Sequence, residues 1–146
     1  MSARAGLALL GIALAAPVLA CGHCVEDKIA AAYDHAVVVQ ALERKHAVAY
    51  FALEGTMPPG AATRRKLRAL AESLAGVERG TVRVSSESAS LSFAFDPVRH
   101  PHGPLAQALD RKLAASGLRA FPLRVVDRPP GASAASSRSG SLPPPR

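Results

Sequence analysis

Residues 46–53 read HAVAYFAL. The run is apolar almost throughout, without polar alternation, as expected of a strand covered on both faces. Working outward from it, residues 55–60 (GTMPPG) form a turn, and Pro58 and Pro59 block a helix until just after them. In residues 61–75, Leu67, Leu70, Ala71 and Leu74 recur at helical spacing. Arg64, Arg65, Lys66 and Arg68 lie mostly on the other side, a pattern that suits contact with anionic lipid but reads better as a solvated face. Gly76 is a stop. Residues 81–85 and 91–95 alternate, so that Val82 and Val84, then Leu91, Phe93 and Phe95, face one way across a turn at 85–90. Pro104 opens a second helix in its first turn. Leu105, Ala108, Leu109, Lys112 and Leu113 give its stripe, and Gly117 ends it. A last strand follows over 118–126, with Phe121, Leu123 and Val125 on one face.

The order from residue 46 to residue 126 is therefore β-α-β-β-α-β, a strand–helix–strand unit made twice. That is the ferredoxin-like split pattern, an α+β sandwich. Pro122 agrees with it: proline inside a sheet belongs on an edge, and the last strand of this topology is an edge strand. Ahead of this unit, Val25, Ile29, Ala32, Tyr33, Ala36, Val37 and Ala41 recur at helical spacing, and Glu26 and Asp27 suit a helix start. Residues 37–39 (VVV) suit a strand as well. The reading is an N-terminal helix before the sandwich, either one long helix or two broken near Asp34-His35. Its job would be to cover the sheet face to which Val48 and Tyr50 point.

The two ends differ from this middle. Residues 1–20 hold one cation (Arg4), an apolar run from Ala5 to Ala16 and small residues up to Ala20. This is the layout of an export leader, and the run is too short to span a bilayer. Cleavage before Cys21 would release the chain to an exported, periplasmic location. The same residues also form a poor lipobox, which would make Cys21 an acylated, membrane-anchoring residue. Residues 128–146 are rich in Pro, Gly, Ser and Ala and read as a disordered tail. The organisation expected is thus leader 1–20, motif and helix 21–45, sandwich domain 46–127 and tail 128–146. The formal charge of +7 is concentrated at the ends: residues 21–127 hold 14 basic and 11 acidic residues. With no Trp and few aromatics there is no stacking platform, so no nucleic-acid partner is expected.

The chain has two cysteines, in Cys21-Gly22-His23-Cys24. Two thiolates in a CxxC turn converge on one ion and select soft metals such as copper(I), then zinc. His23 adds an imidazole. If the chain begins at Cys21, His23 is its third residue. A free amine, two amide nitrogens and that imidazole then make a square plane suited to copper(II) or nickel(II). Acylation of Cys21 would remove that site and leave Cys24 as the remaining thiol. The metal ligands read from the sequence are Cys21, His23 and Cys24. The ferredoxin-like order together with Cys21-Gly22-His23-Cys24-Val25 resembles the heavy-metal-associated domain family of copper chaperones and metal pumps. The resemblance implies metal binding and delivery to a protein partner. In that family the cysteine pair follows the first strand. Here the corresponding loop, residues 55–60, has no cysteine.

Two functional rivals remain, besides a plain structural disulfide. CGHC is also wording found in disulfide isomerases, but a thioredoxin-like site needs a strand ahead of the motif, and the usual preceding Trp is missing. A structural disulfide closing so short a loop would remove little unfolded-state entropy. The other is a lipoprotein whose sheet binds a partner and whose Cys21 is only an anchor, the one case in which membrane contact is expected. His35 would lie about 16 Å from Cys24 along one straight helix and reads as a surface or packing residue. His100-Pro101-His102 reads as a solvated turn and Met57 as packing. No nucleophile triad, phosphate-binding loop or carboxylate pair stands out, so binding rather than catalysis is expected.

Overall fold

A computed structural model of the chain describes residues 21–129, with side chains from Cys24 onward. The leader and most of the tail lie outside the described residues. Eight elements follow in order: α1 (Cys21–Ala31), α2 (His35–Glu43), β1 (Ala47–Glu54), α3 (Ala61–Glu72), β2 (Arg83–Ser85), β3 (Ser90–Phe95), α4 (His102–Ala114) and β4 (Arg119–Val126). The four strands form one antiparallel sheet in the order β2-β3-β1-β4. This is the ferredoxin-like sandwich, with β1 internal and β4 at an edge.

β1 is buried at every position but the last because both of its faces are covered. Ala47, Ala49, Phe51 and Leu53 point to the main core. There they meet Leu67 and Ala71 of α3, Leu105, Leu109 and Leu113 of α4, and Leu91, Phe93 and Phe95 of β3. Val48 and Tyr50 point the other way, into a second core with Ala94 and with Ile29, Ala32, Val37, Val38 and Ala41. Burying each large side chain contributes about 1.5–3 kcal/mol. The N-terminal segment covers the sheet face it was expected to cover, and it does so as two helices.

The break between α1 and α2 has an identifiable cause. Asp34 takes an extended backbone and accepts a hydrogen bond from the Val37 amide at 3.2 Å, capping α2. The same carboxylate pairs with Arg83 at 2.7 Å. The Ala32 carbonyl, left over at the end of α1, accepts from buried Ser92 Oγ at 2.6 Å. Residues 37–39 are helical, since Val37 and Val38 reach the second core from that turn.

β4 departs from simple alternation. Tyr50 pairs with Arg124 and Phe51 with Pro122, so Leu123 is an extra residue in a bulge beside the proline. Ala120 enters the main core, while Leu123 and Val126 pack on the second. Phe121 and Val125, expected with Leu123 on one face, are instead 40% and 36% exposed. Arg119, Pro122 and the bulge blunt this free edge. Arg119 pairs with Asp110 of α4 through two bonds of 2.8 and 2.9 Å, which holds the Asp110 carboxyl below its usual range.

Candidate functional site

The CGHC motif forms the first turn of α1. Helical spacing explains how that turn is held. Val25, Ile29 and Ala32 lie three or four residues apart and pack on the second core, Val25 at its margin. Glu26, on the flank, receives both guanidinium nitrogens of Arg124 from β4. Lys28 donates to the Ser88 carbonyl at 2.7 Å, on the turn between β2 and β3. The helix therefore crosses the sheet from the β4 edge, at Glu26, towards β3, at Ala32. Its first turn lies before the earliest of these contacts.

Cys24 is exposed, and its sulfur has no disulfide partner among the described residues. Cys21 is three residues earlier on the same helical backbone, and positions three apart are neighbours on one side of a helix. The spacing thus keeps the two cysteine positions together, in a helical turn rather than a loop. The side chains of Cys21 and His23 are outside the described set. Among the described residues, no three metal-ligating side chains converge.

The other histidines stay apart from the motif. His35 opens α2, where its Nδ1 lies 3.2 Å from the Tyr33 hydroxyl. Both residues line an apolar groove of about 440 Å³ with Val38, Val39 and Leu42, which Cys24 does not reach. His102 is not in a solvated turn. It is the first residue of α4, with its ring 5.9 Å from that of Phe51 and 6.1 Å from that of Phe95. Burial pushes its pKa down, and its Nε2 is enclosed without a partner. His100 packs against Gly76, where an added Cβ would come within 2.6 Å of the imidazole. His46 lies between Glu78 and Asp96 and ties the start of β1 to two loops. Met57 packs on the main core.

The loop after β1 leads into α3, on the main-core side of the sheet, and carries no cysteine. The motif lies in the helix layer on the opposite side.

No family model and no curated protein matches the chain. Among solved structures, the crystal structure of oxidized MerP from Ralstonia metallidurans CH34 is similar. It has 16% sequence identity and a TM-score of 0.43, and the match covers 54% of this chain and 99% of that one. The fold assignment here rests on strand order and register.

Proposed function

We propose that the chain is an exported heavy-metal-binding or metal-delivery protein. Cys21 and Cys24 hold the ion, and His23 is an auxiliary ligand. The observation that supports this best is the exposed sulfur of Cys24 on a docked helix, with a second cysteine position three residues back. Both thiolates are soft donors, which favours copper(I) and similar ions. Zinc asks for four ligands, more than the motif supplies by itself. The metal is cargo in this reading, and a protein partner would receive it from the exposed helix end. The resemblance of Cys21-Gly22-His23-Cys24-Val25 to the heavy-metal-associated family points the same way. Cleavage before Cys21 belongs to the proposal, because acylation would turn the Cys21 sulfur into a thioether.

Titration of the reduced protein with copper(I), against a competing chelator, tests the reading. One equivalent is expected to bind tightly, and Cys24→Ala should remove at least a hundredfold of the affinity. No stoichiometric binding by the reduced protein would refute it. The intact mass of the exported protein distinguishes a free Cys21 from an acylated one.

A further inference from the structure

The two helix layers on either side of the sheet carry opposite charge. On the main-core side, α3 and α4 hold Arg64, Arg65, Lys66, Arg68, Arg111 and Lys112 against Glu72 and Asp110, a net of +4 apart from histidine. On the other side, α1 and α2 hold Lys28 against Glu26, Asp27 and Glu43, a net of −2. The basic layer is also the one whose charges are least used. Arg64 pairs with Glu87 at 3.1 Å, and Asp110 is occupied by Arg119. Arg65, Lys66, Arg68, Arg111 and Lys112 reach no carboxylate among the described residues. Lys112 Nζ lies 2.6 Å from Ser73 Oγ, the C-cap of α3, so the last turn of α4 adjoins the end of α3 on this face.

The arrangement is not one that stabilises the fold. α3 has no acidic residue in its first turn, and its N-cap, Gly60, offers no side-chain bond. Arg64, Arg65 and Lys66 stand near the positive end of that helix, where cations are unfavourable.

We infer that the α3–α4 face docks on an anionic lipid surface and turns the cysteine-bearing α1–α2 layer away from it. Charge complementarity selects an anionic partner. The surface texture selects a bilayer over an acidic protein. A stable protein interface has large apolar anchors seated in pockets. Among the described residues, the exposed large apolar side chains are Tyr33, Val39, Val98, Phe121 and Val125, none of them on α3 or α4. What that face offers is diffuse positive charge with exposed Ala61, Ala62 and Ala69 between. The contact is peripheral, since no described helix is long and apolar enough to cross a membrane. It needs no acyl chain and is independent of metal binding.

The test is sedimentation of the exported protein with mixed phosphatidylglycerol–phosphatidylcholine vesicles and with phosphatidylcholine alone. The readout is the ratio of the two partition coefficients, in which the contribution of an acyl chain on Cys21 would cancel. Each cation near an anionic surface is worth about fivefold in partitioning. The combined Arg65→Gln, Lys66→Gln and Arg68→Gln variant should therefore lower the ratio about 100-fold. Lys45→Gln, outside the face, should lower it no more than a few-fold. Raising salt from about 0.1 M to about 1 M shortens the screening length from about 10 to about 3 Å and should abolish the preference. Equal partitioning onto both kinds of vesicle would overturn the inference. So would a preference that survives in the triple variant, or retention on immobilised polyglutamate without any preference for anionic vesicles, which would mark an acidic protein partner instead.

Discussion

Tyr50→Phe isolates one atom in the second core. Tyr50 lies in the middle of the internal strand, 1% exposed, under α1 and α2. Its hydroxyl is buried with no hydrogen-bond partner. A hydroxyl taken from water without compensation costs about 1–3 kcal/mol. Phenylalanine keeps the ring and its packing and removes that cost. The variant is therefore expected to be more stable at neutral pH by about 1 kcal/mol. With a urea slope of about 1–3 kcal/mol/M, the midpoint should rise by about 0.5 M with the slope unchanged. A second arm uses alkaline pH. Burial raises the Tyr50 pKa from 10.0 to about 12. A folded-state pKa above the unfolded one gives a contribution fully present below pH 10 and lost as pH rises through about 12. A tenfold change in an ionisation equilibrium corresponds to about 1.4 kcal/mol, so wild type should lose about 3 kcal/mol across that window relative to Tyr50→Phe. Paired urea titrations at neutral pH and at several alkaline values measure both arms, and other tyrosines cancel in the difference. A variant less stable than wild type at neutral pH would show that the hydroxyl has a partner. Parallel alkaline loss in the two proteins would refute the buried, partnerless state of Tyr50.

Asp34→Ala removes both the cap of α2 and the Arg83 pair, and should cost about 1–2 kcal/mol by urea denaturation. The hydrogen bonds from Arg83 and Val37 hold the Asp34 carboxyl below its usual 3.8. Its contribution is therefore present above that value and lost as pH falls through the folded pKa, so acid should narrow the gap between variant and wild type. Phe93→Ala, at a position with no exposure, should cost about 3–5 kcal/mol, whereas Phe121→Ser at the exposed edge should stay within about 1 kcal/mol. Equal losses would place Phe121 in the core and contradict the β4 bulge.

The parts of this fold that could be read from the chain are those set by local pattern. The run through β1 and the stripe of Leu105, Leu109 and Leu113 survive into the structure because each side chain's burial follows from its own periodicity. What could not be read depends on distant partners. Whether residues 37–39 are helix or strand is decided by Asp34 and by the core that Val37 and Val38 meet. His102 looked solvated because the rings beside it, Phe51 and Phe95, come from β1 and β3. The bulge at Leu123 is hinted at by Pro122 alone, since a single skipped pairing leaves no other trace in composition. The charge asymmetry is hidden for a similar reason. Basic and acidic residues nearly balance along residues 21–127, and only the fold sorts them onto opposite sides of the sheet.

The candidate site combines a readable motif with a location that no motif announces. In the loop after β1, a cysteine pair would sit where the chain turns from the sheet into α3. On α1 it sits in the first described turn of a helix whose anchorage, among the described side chains, begins at Val25 and Glu26 and continues through Lys28, Ile29 and Ala32. The terminal turn of a helix frays at little free-energy cost, while segments tied to a core open only at a large fraction of global stability. The motif can therefore change geometry around an ion without disturbing Ile29 or the sheet beneath it.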